Sequence, residues 1–207
     1  MTLLVGPANA GKVATLLDRY LADLDREPVL IVPNAADVAR AEQDLLRRAG
    51  ALLGGRIGTF DDLFESIASA AHNGVKPVVG DAQRALVLRR VLAQARLGEL
   101  AASARFAGFA DALGGQLAEL ESGLLDPEHV GGDLAELYGL YRGELDRIGR
   151  WDRDRRRRYA ADRVAGQLEA WDGRPVYAYG FEDLTGAQWR LLEALAARAD
   201  VTVSLPY

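Results

Sequence analysis

The 207-residue sequence predicts an α/β fold: a parallel sheet interrupted by an all-helical insertion. Three observations predict it. Residues 3–71 alternate apolar runs of strand length with amphipathic helical patterns, residues 75–171 read only as helices, and residues 174–205 return to strand, helix, strand. Such alternation builds a parallel sheet with right-handed crossovers, and a helix-only stretch inside it reads as an insertion. The predicted division is 1–74 and 172–207 for the two parts of the core and 75–171 for the insertion.

The first strand, Leu3-Leu4-Val5, runs into Gly6-Pro7-Ala8-Asn9-Ala10-Gly11-Lys12, and a helix marked by Leu16, Leu17, Tyr20, Leu21 and Leu24 follows. This is the strand, glycine loop and helix order of a phosphate-binding loop. Glycines let the backbone aim N–H groups at phosphate oxygens, the helix N-terminus adds positive potential, and Lys12 supplies a point charge. The pattern's closing Ser or Thr, whose hydroxyl ligates Mg²⁺, is replaced by Val13. An ordinary βα turn is the alternative for Gly6 to Lys12.

Val29-Leu30-Ile31-Val32 has the unbroken apolar character of a fully buried strand. Asn34 is placed to cap a helix with Val38, Ala41, Leu45 and Leu46 inward. Residues 56–60 read as a third strand, and Thr59 with Asp62 as a capping box for a helix from Leu63 to Ala71. Within the insertion, Asp81 is expected to cap Ala82 to Ala95. Phe106, Phe109, Leu113, Leu117 and Leu120 mark a second helix, Asp126-Pro127 opens a third through Leu137, Tyr141 and Leu145, and Tyr159, Val164 and Leu168 mark a fourth. Residues 174–179 form a strand, Thr185 and Gln188 a capping box, and Val201 to Leu205 the last strand. A parallel sheet ending on a fresh strand at Pro206-Tyr207 reads as a piece of a longer protein.

Composition narrows the function classes. Hydrophobic residues make up 49% and charged residues 27%, as in soluble globular proteins, and no run reaches the ~18 apolar residues of a membrane span. With no Cys, disulfides and thiolate metal sites find no material; two His outside any His/Asp/Glu cluster leave little room for a zinc site or an imidazole triad, and a cytoplasmic location is expected. The net charge of −5 is unevenly spread: residues 99–146 hold ten acids against Arg105 and Arg142, and the sign reverses around Arg155-Arg156-Arg157-Arg158.

The order of phosphate loop, Ile57-Gly58-Thr59-Phe60, helical insertion with Tyr138-x-x-Tyr141-x-x-x-Leu145, and Tyr179-Gly180-Phe181-Glu182-Asp183-Leu184-Thr185 with Gln188 resembles the first, RecA-like core domain of UvrD-like helicases. Within that P-loop NTPase superfamily the chain looks most like the N-terminal part of the AddB-type subunit of bacterial helicase-nuclease complexes, over essentially its whole length. The resemblance implies a role in processing DNA double-strand breaks for recombinational repair. It implies DNA, as double-strand ends and single strands, and an AddA-type subunit as partners. Nuclease chemistry in that family comes from a C-terminal domain of the intact subunit, and ATP-driven translocation from the partner subunit.

Departures from the family pattern define the expected site. In active relatives the second ATPase motif reads Asp-Glu-Phe-Gln-Asp; aligned on Phe181 and Asp183, its metal-holding Asp and water-orienting Glu become Tyr179 and Gly180. Together with Val13 this removes the groups that hold Mg²⁺ and place water, and the adenine-contacting glutamine segment has no room before Met1. The expectation is ATP bound without hydrolysis by Gly6, Ala8, Asn9, Ala10, Gly11 and Lys12, with no Mg²⁺ site and no catalytic residue in this chain. Glu182 and Asp183 are alternatively replacement metal ligands of a working ATPase, or a pair at the N-terminus of the following helix. The base-stacking loop of relatives corresponds to Val32-Pro33-Asn34-Ala35, where stacking is lost. Thr59 and Phe60 match the family's other DNA-proximal motif, and are alternatively a helix cap and a core residue. Arg155 and Arg158 are candidates for DNA backbone contact, the alternative being a helix face paired with Asp152, Asp154 and Asp162. A further reading makes the acidic stretch 99–146 a docking surface for a partner protein.

Overall fold

A computed structural model describes residues 1–7, 10–70 and 74–206. Its centre is one five-stranded sheet, all parallel, in the order β1-β5-β4-β2-β3. The strands are β1 Thr2–Gly6, β2 Val29–Ile31, β3 Arg56–Gly58, β4 Val176–Ala178 and β5 Val201–Pro206. First and last strands pair from Thr2 with Thr202 to Gly6 with Pro206, so the chain returns to its own beginning. The inner strands β2 and β4 are buried at every position, as unbroken apolar runs require. At the sheet edge, β1 leaves Leu3 47% and Val5 55% exposed.

The chain folds into two compact units, Met1–Ala70 with Ala160–Tyr207, and Ala71–Tyr159. In the first, α1 (Lys12–Ala22), α2 (Ala35–Ala49), α3 (Phe60–Ser69) and α8 (Gly186–Ala196) accompany the sheet. Leu16, Leu17 and Tyr20 of α1, Leu30 and Val32, Ala41 and Leu45 of α2, and Tyr177 form one core cluster. The three predicted caps are present: Asn34 accepts from Asp37 N at 3.0 Å, and Thr59 with Asp62 and Thr185 with Gln188 form reciprocal capping boxes. Three details differ from expectation. Leu46 is 45% exposed because it sits about 100° around the helix from Leu45. The third strand ends at Gly58, since the cap starts α3 at Phe60. The fourth strand is only Val176–Ala178. Ala71, the expected last residue of the third helix, lies outside the described residues.

The second unit packs α4 (Asp81–Gln94), α5 (Phe109–Ser122) and α6 (Gly132–Arg147), and the start of α7 (Arg153–Gly166) belongs to it. Leu88, Val91, Leu117, Tyr138, Tyr141 and Leu145 lie in its core. Asp81 is the first helical residue of α4 rather than its cap; the Gly80 N–H is instead taken by the Gln83 side chain at 3.3 Å. Asp126-Pro127 opens a separate 3-10 turn, Pro127–His129, and α6 starts after Gly131. Phe106 precedes α5 in a turn and stands 75% exposed. Among the described residues no helix is long and apolar enough to cross a membrane.

A buried ion network joins these helices. Arg142 Nε donates to Glu121 Oε1 and Arg142 Nη1 to Asp126 Oδ1, both at 2.6 Å, while Arg142 Nη2 donates to the Tyr138 hydroxyl at 2.8 Å. From α7, Arg158 Nη2 donates to Asp126 Oδ2 at 2.8 Å. Glu121 is 1% exposed and the Arg158 guanidinium stands 4.0 Å from it, so removing Arg142 would strand its carboxylate away from water.

The pH dependence follows with a definite sign. Burial alone would raise Asp126, but hydrogen bonds from Arg158 and Arg142 outweigh it and hold its carboxyl below the usual range. Backbone N–H groups of Gly98 and Leu100 lower Asp133, the Arg147 hydrogen bond lowers Glu144, and Lys76 with Arg155 lower Asp146 against its burial. Each contribution is complete above the unfolded carboxylate pKa of about 4 and is lost as pH falls through the lowered folded value. Asp154, raised chiefly by burial, runs the opposite way as a single group. Urea unfolding midpoints are therefore expected to hold from pH 7 to about 5 and fall steeply below about 4. Asp126→Asn should lower the neutral-pH midpoint and flatten that acid limb.

Candidate functional site

The phosphate-loop candidate sits at the carboxyl edge of the sheet, where open parallel sheets bind ligands. Gly11 is left-handed (φ 78°) and opens α1 with no side-chain cap and no acid in the first turn. The leading N–H groups of that helix are thus left to meet an anion. Lys12 curls back over the loop: its ammonium donates to the carbonyl oxygens of Gly6 and, at 2.6 Å, of Pro7. A Cβ added to Gly6 would meet Lys12 Cδ at 3.7 Å and Ala10 Cβ at 3.8 Å, ordinary van der Waals contact. Ala8 and Asn9, also expected to hold phosphate, lie outside the described residues. These groups fit phosphate oxygens. Mg²⁺ is not fitted: Val13, 39% exposed at the start of α1, offers only methyl groups where a hydroxyl is needed.

The end of β4 faces the same edge. Ala178 is level with Val203 and hence with Leu3, so β4 leaves the sheet toward the same carboxyl edge but three residues short of Gly6. Tyr179 donates its N–H to Ile31 O at 3.2 Å and packs against the cluster around α1 and α2. Burial, then the Asp44 and Asp37 charges, push its phenol pKa up. Gly180 has φ +88°, and a Cβ added to it would come within 3.1 Å of the Pro33 ring. A glutamate at this position would lack both the backbone conformation and the space. Asp183 spends Oδ1 on the N–H of Leu184 at 2.7 Å, and Thr185 rather than the Glu182–Asp183 pair caps α8. Among the described residues no three His, Cys, Asp or Glu side chains gather as a cluster for a metal ion.

Thr59 and Phe60 serve the cap and the core. The Thr59 hydroxyl donates to Asp62 Oδ2 at 2.7 Å and accepts from Asp62 N at 3.3 Å. Phe60 is 3% exposed, with its ring 5.0 Å from Phe181 and 6.2 Å from Phe64. Both arginine candidates are engaged within the helical unit: Arg155 with Asp146 at 3.1 Å, Arg158 with Asp126 at 2.8 Å. Of the expected acidic partners, Asp154 pairs with Arg157 at 2.7 Å and Asp152 accepts from Arg155 N at 2.8 Å. Asp162 pairs with Arg190 of α8 instead, at 2.7 Å.

Sequence reasoning missed the left-handed Gly180 against Pro33 and the Glu121–Arg142–Asp126–Arg158 network. The network had one visible signal, Arg142 one helical turn after Tyr138 and set among acids, over whose ring its guanidinium lies at 4.5 Å.

No protein-family profile matches the chain. Two curated proteins are similar over its full length, each the B subunit of an ATP-dependent helicase/deoxyribonuclease, from Desulfitobacterium hafniense strains DSM 10664 / DCB-2 and Y51. Each is 27% identical over 229 aligned residues covering 100% of this chain. The chain spans 19% and 18% of those proteins, about a fifth of their length.

Gly180→Ala tests the geometry beside the loop. A left-handed non-glycine residue costs about 1–2 kcal/mol, and the Pro33 contact adds to it. The expected result is a loss of at least about 1 kcal/mol of unfolding free energy, read as a lower urea midpoint at unchanged slope; an unchanged midpoint would contradict the described backbone.

Proposed function

We propose that this chain is the helicase-like domain of an AddB-type component of a DNA helicase-nuclease, acting in double-strand break processing as a scaffold and DNA guide whose ancestral nucleotide pocket no longer drives a motor. One observation carries the reading. A phosphate loop with its lysine and uncapped helix start lies at the same sheet edge as Tyr179 and Gly180, where metal-binding and water-orienting carboxylates would be required. Phosphoryl transfer needs a metal to neutralise developing charge and a residue to place the nucleophile. Val13, Tyr179 and Gly180 supply neither.

The full-length similarity to two helicase/deoxyribonuclease components supports the assignment to DNA metabolism and to a multisubunit enzyme. In this reading translocation and strand cleavage belong to other parts of the assembly, and an AddA-type subunit is the partner. Any triphosphate is held by loop amides and Lys12 through its charge, without metal bridging and without adenine contacts. DNA contact by this domain goes through its backbone-facing cations, since Phe60 is buried and the β2–α2 loop lacks an aromatic ring.

The test is phosphate release from Mg·ATP by the chain and by Lys12→Ala. The expected outcome is no Lys12-dependent turnover. A turnover that Lys12→Ala abolishes would replace this reading with that of a working ATPase. Calorimetry on the same pair separates a retained nucleotide site, weakened by the substitution, from a loop that has lost ATP altogether.

A further inference from the structure

Helix α4 turns Val87, Leu88 and Val91 to the core, 6%, 4% and 1% exposed. Its outer side mixes Gln83, Arg89, Arg90 and Gln94 with Ala82, Ala85, Leu86 and Ala93, and Leu86 stands 64% exposed. In its own unit α4 is covered on the inner side by α5 and α6.

Beside Leu86, between α4 and the end of α6, lies a cleft of about 600 Å³, within the ~300–1,000 Å³ of ligand pockets. Its apolar floor is Leu86, Val87 and Ile148, and its polar rim includes Arg90, Arg147, Arg150 and Glu144. Glu144 accepts from Arg147 Nε at 2.7 Å and Nη2 at 2.6 Å, and pairs with Arg90 Nε at 3.1 Å. Three guanidiniums against one carboxylate leave two positive charges on the rim. Among the described residues the Arg150 guanidinium has no hydrogen-bond or ion-pair partner. The surplus sits in a chain of net charge −5, so it is a local feature.

We infer that this cleft and the outward face of α4 form a docking site for an acidic, amphipathic segment of a partner protein. An apolar side chain of the segment enters between Leu86, Val87 and Ile148, and flanking carboxylates engage Arg150 and the free edges of Arg90 and Arg147. Aliphatic floor and basic rim together favour such a peptide over a nucleic-acid strand. The cleft has no aromatic side chain on which a base would stack, and the Glu144 carboxylate would face any phosphate. This site is independent of the nucleotide reading.

The probe is a short fluorescein-labelled peptide with leucines at helical spacing flanked by glutamates, alongside the same peptide with each glutamate replaced by lysine. Anisotropy with the full chain should show binding of the acidic peptide that weakens with salt, and none of the lysine peptide. Leu86→Asp and Arg150→Glu, checked for unchanged circular dichroism, should each weaken binding by about tenfold. Amide shifts in ¹⁵N spectra should fall on residues 83–94 and 144–150. Absence of binding, equal binding of the lysine peptide, binding untouched by both variants, displacement by single-stranded oligothymidine, or occupation of these amides by a second copy of the chain would each overturn the proposal.

Discussion

Parallel pairing of the first strand with the last is the constraint on which the rest of the structure depends. By matching Thr2 to Thr202 and Gly6 to Pro206, it fixes the height of Gly6 against β5, and β5 in turn sets Ala178 of β4 level with Val203. Because every strand runs the same way, Gly6, Tyr179 and Gly58 all leave the sheet at one edge, with helices or loops following at once. A one-residue slip would exchange the faces of Val201 and Val203 with those of Thr202 and Ser204, placing hydroxyls where the valines, 1% and 0% exposed, now pack. The arrangement of the candidate site is therefore set by main-chain geometry, and the chemistry there depends on which side chains occupy a few edge positions.

Those positions carry side chains suited to packing and positive potential. Lys12 satisfies itself on the carbonyls of its own loop, Tyr179 lies against the α1–α2 core, and Gly180 accommodates Pro33. At Gly180 a carboxylate side chain would meet the main chain as well as Pro33, because the backbone occupies the left-handed region that L-residues rarely adopt. The helical unit shows a different economy, with its strong charges turned on each other. Arg142 and Arg158 bind Glu121 and Asp126, and Arg155 binds Asp146, so much of the contrast between acidic and basic stretches is neutralised inside the unit.

Much of the fold was legible in the sequence, for identifiable reasons. An unbroken apolar run marked β2, and the pairs Thr59/Asp62 and Thr185/Gln188 marked helix starts because capping chemistry is local. Boundaries failed where two local signals competed. Asp81 looked like a cap, but the Gly80–Gln83 pair took that role, and Asp126-Pro127 announced a helix that ends as a 3-10 turn before α6 begins. At the site, spacing marked Gly6 to Lys12 and Val13 as a candidate loop, and the family resemblance pointed to Tyr179 and Gly180. The closeness of Gly180 to Pro33 was not legible, because the two residues are distant in sequence and meet only in the fold. The ion network was equally hidden, since Glu121, Asp126, Arg142 and Arg158 meet only once the helices pack.

The central claim is that no side chain of this domain grips the metal of a nucleotide at the phosphate loop. The most direct measurement is the electron paramagnetic resonance spectrum of Mn·ATP with saturating protein. The expected spectrum is the Mn²⁺ hyperfine pattern of free Mn·ATP. A protein-coordinated Mn²⁺ spectrum that reverts when Glu182 and Asp183 are replaced by amides would contradict it.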